Sequence, residues 1–191
     1  ASEAGFNTDF EFIENVQFSD EGIFKDDELF EFWFKLIPWE DIAIQESELA
    51  LILTEIIREK KAIIFNPAYT LMFQSKGFMK ILWDLYPNHP LLLETSFEPL
   101  YGKKQVEKRC FGREGANTKI INSDGSIDTQ TDGSYEGHKA IYQEFVEFPK
   151  DSNGNYYQAG VFYSYEGAGL GFRRGGKILN NMSKFVGHII K

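Results

Sequence analysis

The stretch Lys108-Arg109-Cys110-Phe111-Gly112-Arg113-Glu114-Gly115-Ala116-Asn117 decides how this chain is read. It predicts a strand over Gln105 to Phe111 that carries a lysine, a loop over Gly112 to Asn117, and a second strand over Thr118 to Ile121. Phosphate is held by backbone N–H groups that can come close and by fixed positive charge. Gly112 and Gly115 permit the approach, and Lys108 and Arg113 supply the charge. The order excludes a Walker A loop, in which the lysine follows the glycines and a helix follows the lysine. The spacing alone also fits an ordinary basic hairpin with two turn glycines.

Outward from this stretch the pattern is of strands and turns. Ile127 to Thr131 pairs back across Asn122-Ser123-Asp124-Gly125, a turn whose glycine suits positive φ. Lys139 to Phe148 alternates, with Ile141, Gln143, Phe145 and Glu147 on one face. Within it, Gln143-Glu144-Phe145-Val146 could offer backbone groups to an adenine edge, though read alone it is an alternating half-buried strand. Asp151 to Asn155 is another turn, and Tyr156 to Tyr165 with Gly169 to Arg173 complete a meander. Arg173 and Arg174 sit among glycines, where a guanidinium can clamp phosphoryl oxygens or simply be solvated.

Glycine divides the chain: three of the 17 precede residue 102. The expected fold class is α+β, with helices in the first half and a mainly antiparallel sheet in the second. Residues 1–101 are expected to form a mixed lobe with two helices, and 102–191 a β-rich nucleotide-binding lobe; one continuous domain is the alternative. The first helix spans Ser47 to Lys60, with Leu49, Ile52, Leu53, Ile56 and Ile57 as its apolar stripe. The second spans about Phe73 to Tyr86 and is stopped by Pro87 and Pro90. A strand is expected at Ala62 to Phe65 between them. Lys76 near the start of the second helix opposes the helix dipole unless it reaches an anion.

Composition limits the function classes. A net charge of −9 argues against non-specific binding to long nucleic acids. Two segments run the other way: residues 102–119 carry six Lys and Arg against two Glu, and 167–191 carry five and no acid. Local basic segments in an acidic chain suit a small polyanion. No apolar run is long enough to span a bilayer, so no membrane partner is expected. Cys110 is the single cysteine, which excludes an internal disulfide and fits a cytoplasmic location. His89, His138 and His188 lack metal-ligand spacing, and the metal ligands are unknown from sequence. The chain begins at Ala1 without methionine, so its natural start is expected upstream.

Several motifs, in this order, resemble the glutathionylspermidine synthase family. Ile37-Pro38-Trp39-Glu40 looks like its aromatic-Pro-Trp-Glu motif. Ser75-Lys76 and the ending Tyr86-Pro87-Asn88-His89-Pro90 resemble its Asn-Lys helix. Arg113-Glu114-Gly115-Ala116-Asn117 matches its Arg-Glu-Gly-Ala-Asn loop in full. Gln143-Glu144-Phe145 resembles its hinge strand, Ala168 to Arg173 its Ala-Gly-Ile-Gly-Ile-Arg, and Met182 to His188 its Ser-Arg-Phe-x-Pro-His ending.

The resemblance implies an ATP-grasp fold and an ATP- and Mg²⁺-dependent carboxylate–amine ligase that works through an acyl phosphate. The expected substrates are a peptide-like carboxylate and a polyamine-like amine. It further implies that Lys76 and Lys108 hold ATP phosphates and that Gly112, Arg113, Glu114, Gly115, Ala116 and Asn117 cover them. Gln143, Glu144, Phe145 and Val146 would take adenine, and Arg173 would be catalytic. Departures include Arg109 for proline, Asn66 for glutamate, Asn180 for aspartate and Gly187 for proline. The likeness covers about the C-terminal half of a typical member, so the magnesium-binding residues are expected upstream of Ala1. The rival readings are a catalytically silent module that keeps the fold to bind nucleotide or a partner, and a β-rich small-molecule binding domain.

Overall fold

A computed structural model describes residues 1–189. Contacts divide the chain into two units, Ala1–Met72 and a second beginning at Phe73, whereas the glycine distribution placed the division at 101/102.

The first unit opens with two 3-10 turns, Ser2–Ala4 and Ile13–Asn15. Three short strands follow, β1 (Gln17–Ser19), β2 (Gly22–Lys25) and β3 (Glu28–Phe30), paired antiparallel in that order. Strand β4 (Phe32–Phe34) then pairs parallel with β5 (Ile63–Phe65). Parallel strands need a long crossover, and helices α1 (Trp39–Gln45) and α2 (Ser47–Arg58) supply it.

The apolar spacing of α2 buries Leu53 and Ile56 completely. They pack with Ile23, Trp39, Ile42, Ala62 and Ile64 as the core of this unit. The helix stops at Arg58, two residues before the expected end. Lys60 adopts φ 56°, and the Lys60 and Lys61 N–H groups close on the Ile57 and Ile56 carbonyls. These bonds satisfy orphan carbonyls of the last turn. Pro38 stands at the extended position before α1, and the buried Trp39 indole donates to the Asn66 carbonyl at 2.7 Å. The Lys35 ammonium lies 4.3 Å from the Trp39 ring centroid and donates to the Ile37 carbonyl. The Ile37-Pro38-Trp39-Glu40 motif therefore joins β4 to the first helix and ties both to the turn after β5.

The expected single helix over Phe73–Tyr86 is two helices, α3 (Thr70–Gln74) and α4 (Gly77–Leu85). The break falls at Ser75-Lys76, where the Lys76 N–H donates to the Cys110 carbonyl at 2.7 Å instead of continuing a helix. In the second unit α4 lies against β6 (Thr95–Ser96) and β10 (Ala140–Glu144). With β7 (Gln105–Arg109), β8 (Lys119–Ile121) and β9 (Ile127–Gln130) these form an antiparallel sheet in the order β6-β10-β7-β8-β9. A second antiparallel sheet holds β11 (Tyr156–Ser164), β12 (Glu166–Gly175) and β13 (Lys184–Val186).

The strand expected over Lys139–Phe148 ends at Glu144, and the chain leaves the sheet at Phe145. The described chain is thus mixed α and β with mainly antiparallel pairing. Among the described residues all four α-helices lie in the first half, where two were expected, and β1–β6 lie there with them. No helix among the described residues is long and apolar enough to cross a membrane.

Leu53 and Leu51 test the packing of α2, since one is fully buried and the other is 69% exposed. Leu53→Ala should cost about 2–5 kcal/mol in urea unfolding, against under about 1 kcal/mol for Leu51→Ala. Equal losses would contradict the assigned core face.

Candidate functional site

On β7, Val106 and Lys108 share one face of the sheet and Glu107 takes the other. The antiparallel register sets Val106 opposite Gln143 and Lys108 opposite Ile141 on β10, and Val106 opposite Ile120 on β8. Opposed residues share a face. Ile120, Ile141 and Gln143 are buried there, and they form the floor on which Lys108 stands. The opposite face is electrically closed: buried Glu107 meets Arg109 at 3.2 Å and Lys119 at 3.5 Å.

The Lys108 face borders a cavity of about 300 Å³. The break between α3 and α4 brings Lys76 to it, with the ammonium donating to the Gly112 carbonyl. Lys108 donates to the Gln143 side-chain oxygen at 2.8 Å. Burial, and next the neighbouring Lys76 charge, push the Lys108 ammonium down to about 8 from its ordinary 10.5. Arg113 comes from the loop after β7, and Arg173 and Lys177 from β12 and the segment after it. Counting Arg109, six cations line the cavity against two carboxylates, Glu114 and Glu144.

Arg173 donates to the Asn180 carbonyl at 2.6 Å and lies 5.7 Å from the Phe185 ring. Among the described residues its buried Nε has no hydrogen-bond partner, and neither does that of Arg109. Buried donors without acceptors carry a desolvation cost.

The loop is built differently from the simple expectation. Arg113 to Ala116 is a tight turn closed by an Ala116 N–H bond to the Arg113 carbonyl at 2.8 Å. Its central residues Glu114 and Gly115 both have positive φ, 53° and 71°. A Cβ on Gly115 would lie 2.4 Å from the Leu179 carbonyl oxygen. The close approach that demands glycine there is by the Leu179 carbonyl, with the Ile178 side chain beside it, and it packs the loop against the segment that follows β12. Gly112 has ordinary backbone, and its carbonyl serves Lys76. Asn117 does not line the cavity. Its Oδ1 accepts the Tyr135 N–H at 2.7 Å, a bond that ties down the loop.

At the exit of β10, the Glu144 and Phe145 N–H groups are taken by the Glu94 and Lys104 carbonyls, at 2.9 and 3.0 Å. The expected hinge over Gln143–Val146 therefore cannot use those two donors. Among the described residues, none takes the Val146 N–H. All of Lys76, Lys108, Gly112, Arg113, Glu114, Gly115, Ala116, Gln143, Glu144, Phe145, Val146 and Arg173 border the one cavity, and Asn117 stands outside it.

Sequence reasoning passed over Lys177. Its ammonium bonds Asp128 on β9 and lies 5.7 Å from the Phe145 ring. Hydrogen bonds from Lys104 and Lys177 hold the Asp128 carboxyl down to about 2. The excess of positive charge after Gly167 was the available signal. No group of three or more His, Cys, Asp or Glu among the described residues could hold a metal ion.

Residues 1–191 match the family described as glutathionylspermidine synthase preATP-grasp. The chain is similar to the bifunctional glutathionylspermidine synthetase/amidase of Escherichia coli, at 29% identity over 61% of this chain and 19% of that protein. It is 29% identical, over 78% of this chain and 39% of the relative, to a Haemophilus influenzae protein whose name assigns it to the acid–amine ligases. It is also similar to the trypanothione synthetase of Crithidia fasciculata, at 26% identity over 46% of this chain and 14% of that one. The chain thus spans well under half the length of each of these relatives.

The position of Lys108 has a measurable consequence. Between pH 8 and its ordinary 10.5, the unfolded chain keeps a proton that the folded chain releases. Stability therefore climbs with pH through that window, and below pH 8 the whole cost of the buried charge is present. Lys108→Met removes this titration. The stability difference between the two proteins should change by up to about 3 kcal/mol between pH 7 and pH 10.5. A pH-independent difference in urea unfolding would place Lys108 in water.

Proposed function

Because the chain belongs to the glutathionylspermidine synthase preATP-grasp family, we propose that it is the phosphate-binding part of an ATP-dependent carboxylate–amine ligase. The observation that carries this reading is the convergence of Lys76, Lys108, Arg113, Arg173 and Lys177 on one cavity. They come from three separate stretches of chain, and no ordinary core requires such a gathering of like charges. A triphosphate offsets their mutual repulsion, takes charge-assisted hydrogen bonds from the lining ammonium and guanidinium groups, and raises the depressed Lys108 toward its ordinary value.

In this reading the phosphates lie between Lys76, Lys108 and the Arg113–Ala116 turn. The adenine edge meets the Val146 N–H, and Phe145 and Val146 form its apolar wall. The acid substrate's carboxylate oxygen bonds the γ-phosphorus as the bond to the bridging oxygen breaks, releasing ADP. The amine nitrogen then attacks the acyl carbon, phosphate departs, and the nitrogen loses a proton. Arg173 stabilises charge on the transferring phosphoryl oxygens, where a preorganised guanidinium acts most strongly. The names of the relatives favour a peptide-like acid and a polyamine-like amine as the substrates of the full-length protein.

Calorimetric titration of ATP into the chain tests the site. Lys108→Ala and Arg173→Ala should each weaken binding at least about tenfold. Affinity should fall as pH rises through 8, since Lys108 must be protonated to hold phosphate, and binding above pH 8 should take up protons. ATP bound equally by wild type and both variants would overturn the assignment. Binding without ligase activity in the full-length protein would favour the silent module.

A further inference from the structure

Lys108 is held by a chain of hydrogen bonds that runs away from the cavity into the sheet. Its ammonium donates to Gln143 Oε1 at 2.8 Å, and Gln143 Nε2 donates to the Thr95 hydroxyl at 3.0 Å. The Thr95 hydroxyl in turn donates to the Leu93 carbonyl at 3.0 Å. Thr95 is 1% exposed and Gln143 is 7% exposed, so water does not compete for these bonds. The pair is fixed by register, because β6 sets Thr95 directly opposite Gln143 on β10.

The chain has one consistent direction. The hydroxyl has a single proton, and the Leu93 carbonyl takes it. Thr95 can then only accept from Gln143, so the amide nitrogen must face Thr95 and the amide oxygen must face Lys108. Reversing the amide would set an NH₂ against an ammonium and leave the Leu93 carbonyl without its donor. A half-satisfied buried network of this kind is costly.

We propose that Thr95 is a positioning residue for the nucleotide site: by fixing the amide of Gln143, it presents an acceptor to Lys108 and holds that ammonium at the phosphate position. This rests on the nucleotide reading for its consequence in binding, but the hydrogen-bond chain stands without it. Gln143 stands in for phosphate oxygen while the site is empty. It keeps the Lys108 ammonium placed against the repulsion of Lys76, and a phosphate need only replace one acceptor by a better one. Neither Thr95 nor Leu93 carries charge, so neither would be singled out by a search for cations.

Lys108 is the reporter. The other charged groups bordering its cavity are Lys76 before α4, Arg109 on β7, Arg113 and Glu114 in the loop, Glu144 at the end of β10, and Arg173 and Lys177 from the second sheet. Changes at Thr95 leave all of these in place. Thr95→Val keeps the shape and deletes the hydroxyl, which frees the amide to turn its NH₂ toward Lys108. The Lys108 titration, followed by NMR of its side-chain carbon without nucleotide, should then move below its wild-type midpoint, and ATP should bind about tenfold more weakly. Thr95→Ser keeps the hydroxyl and should restore both.

Gln143→Glu supplies a control, because a carboxylate accepts at both oxygens and has no orientation to fix. In that background, Thr95→Val should no longer shift Lys108. Should Thr95→Val fail to fold, Thr95→Ala removes the same hydroxyl without crowding the site. An unchanged Lys108 titration in the folded hydroxyl-deleted variant overturns the proposal, as does Thr95→Ser behaving like Thr95→Val. A shifted titration in a protein whose wild type binds no ATP supports the hydrogen-bond chain and refutes the nucleotide reading. Wild-type ATP binding with no shift refutes the chain alone.

Discussion

Lys108 carries an ammonium into a partly apolar cavity where a second ammonium, Lys76, already stands and where its partner is an amide oxygen, not a carboxylate. Burying a charge against a like charge is unfavourable, and a fold tolerates it only where the surrounding structure leaves no alternative. Here the antiparallel register of β7 with β10 sets the lysine on the face it shares with Ile141 and Gln143. The break between α3 and α4, fixed by the Lys76 N–H bond to Cys110, brings the second cation. The unfavourable pair is the feature that the loop after β7, the exit of β10 and the second sheet are arranged around.

The two faces of the five-stranded sheet manage charge in opposite ways. Glu107 is buried between Arg109 and Lys119, a compensated cluster that asks for no ligand. One residue further along β7, Lys108 points to a cavity whose lining cations outnumber its carboxylates. Alternation along a single strand thus separates a structural ion cluster from a site with surplus positive charge. The two sheets of the second unit are joined at this place by backbone contact and by an ion pair. Gly115 lets the loop meet the Leu179 backbone, and Asp128 on β9 takes both Lys104 and Lys177.

The motifs that resemble the family's divide by what they do in space. Ile37-Pro38-Trp39-Glu40 belongs to the first unit, where Trp39 fills the core and its indole satisfies the Asn66 carbonyl. Asn117, the last residue of the Arg-Glu-Gly-Ala-Asn loop, holds the chain at Tyr135 and stays outside the cavity. Arg113 through Ala116 border it. A motif matched in full can therefore mix residues that could meet a ligand with residues that only shape the turn.

The apolar period of α2, the turn at Asn122–Gly125, the strand carrying Lys108 and the meander after Tyr156 were legible in the sequence because each depends on local spacing. The basic segments and their glycines named the residues that border the cavity, because phosphate chemistry demands those residue types. The sequence did not determine where the second helix breaks or where β10 leaves the sheet. The basic segment after Gly167 did not show that Lys177 would reach the cavity, and nothing in the sequence marked the hydrogen-bond chain through Thr95. Each of these is settled by a partner distant in the chain: Cys110 for Lys76, Lys104 for Phe145, Asp128 for Lys177, and Gln143 for Thr95. Local propensity carries no information about such partners. Backbone donors and buried polar groups must be satisfied by whatever the fold brings near, and only the tertiary structure decides what that is.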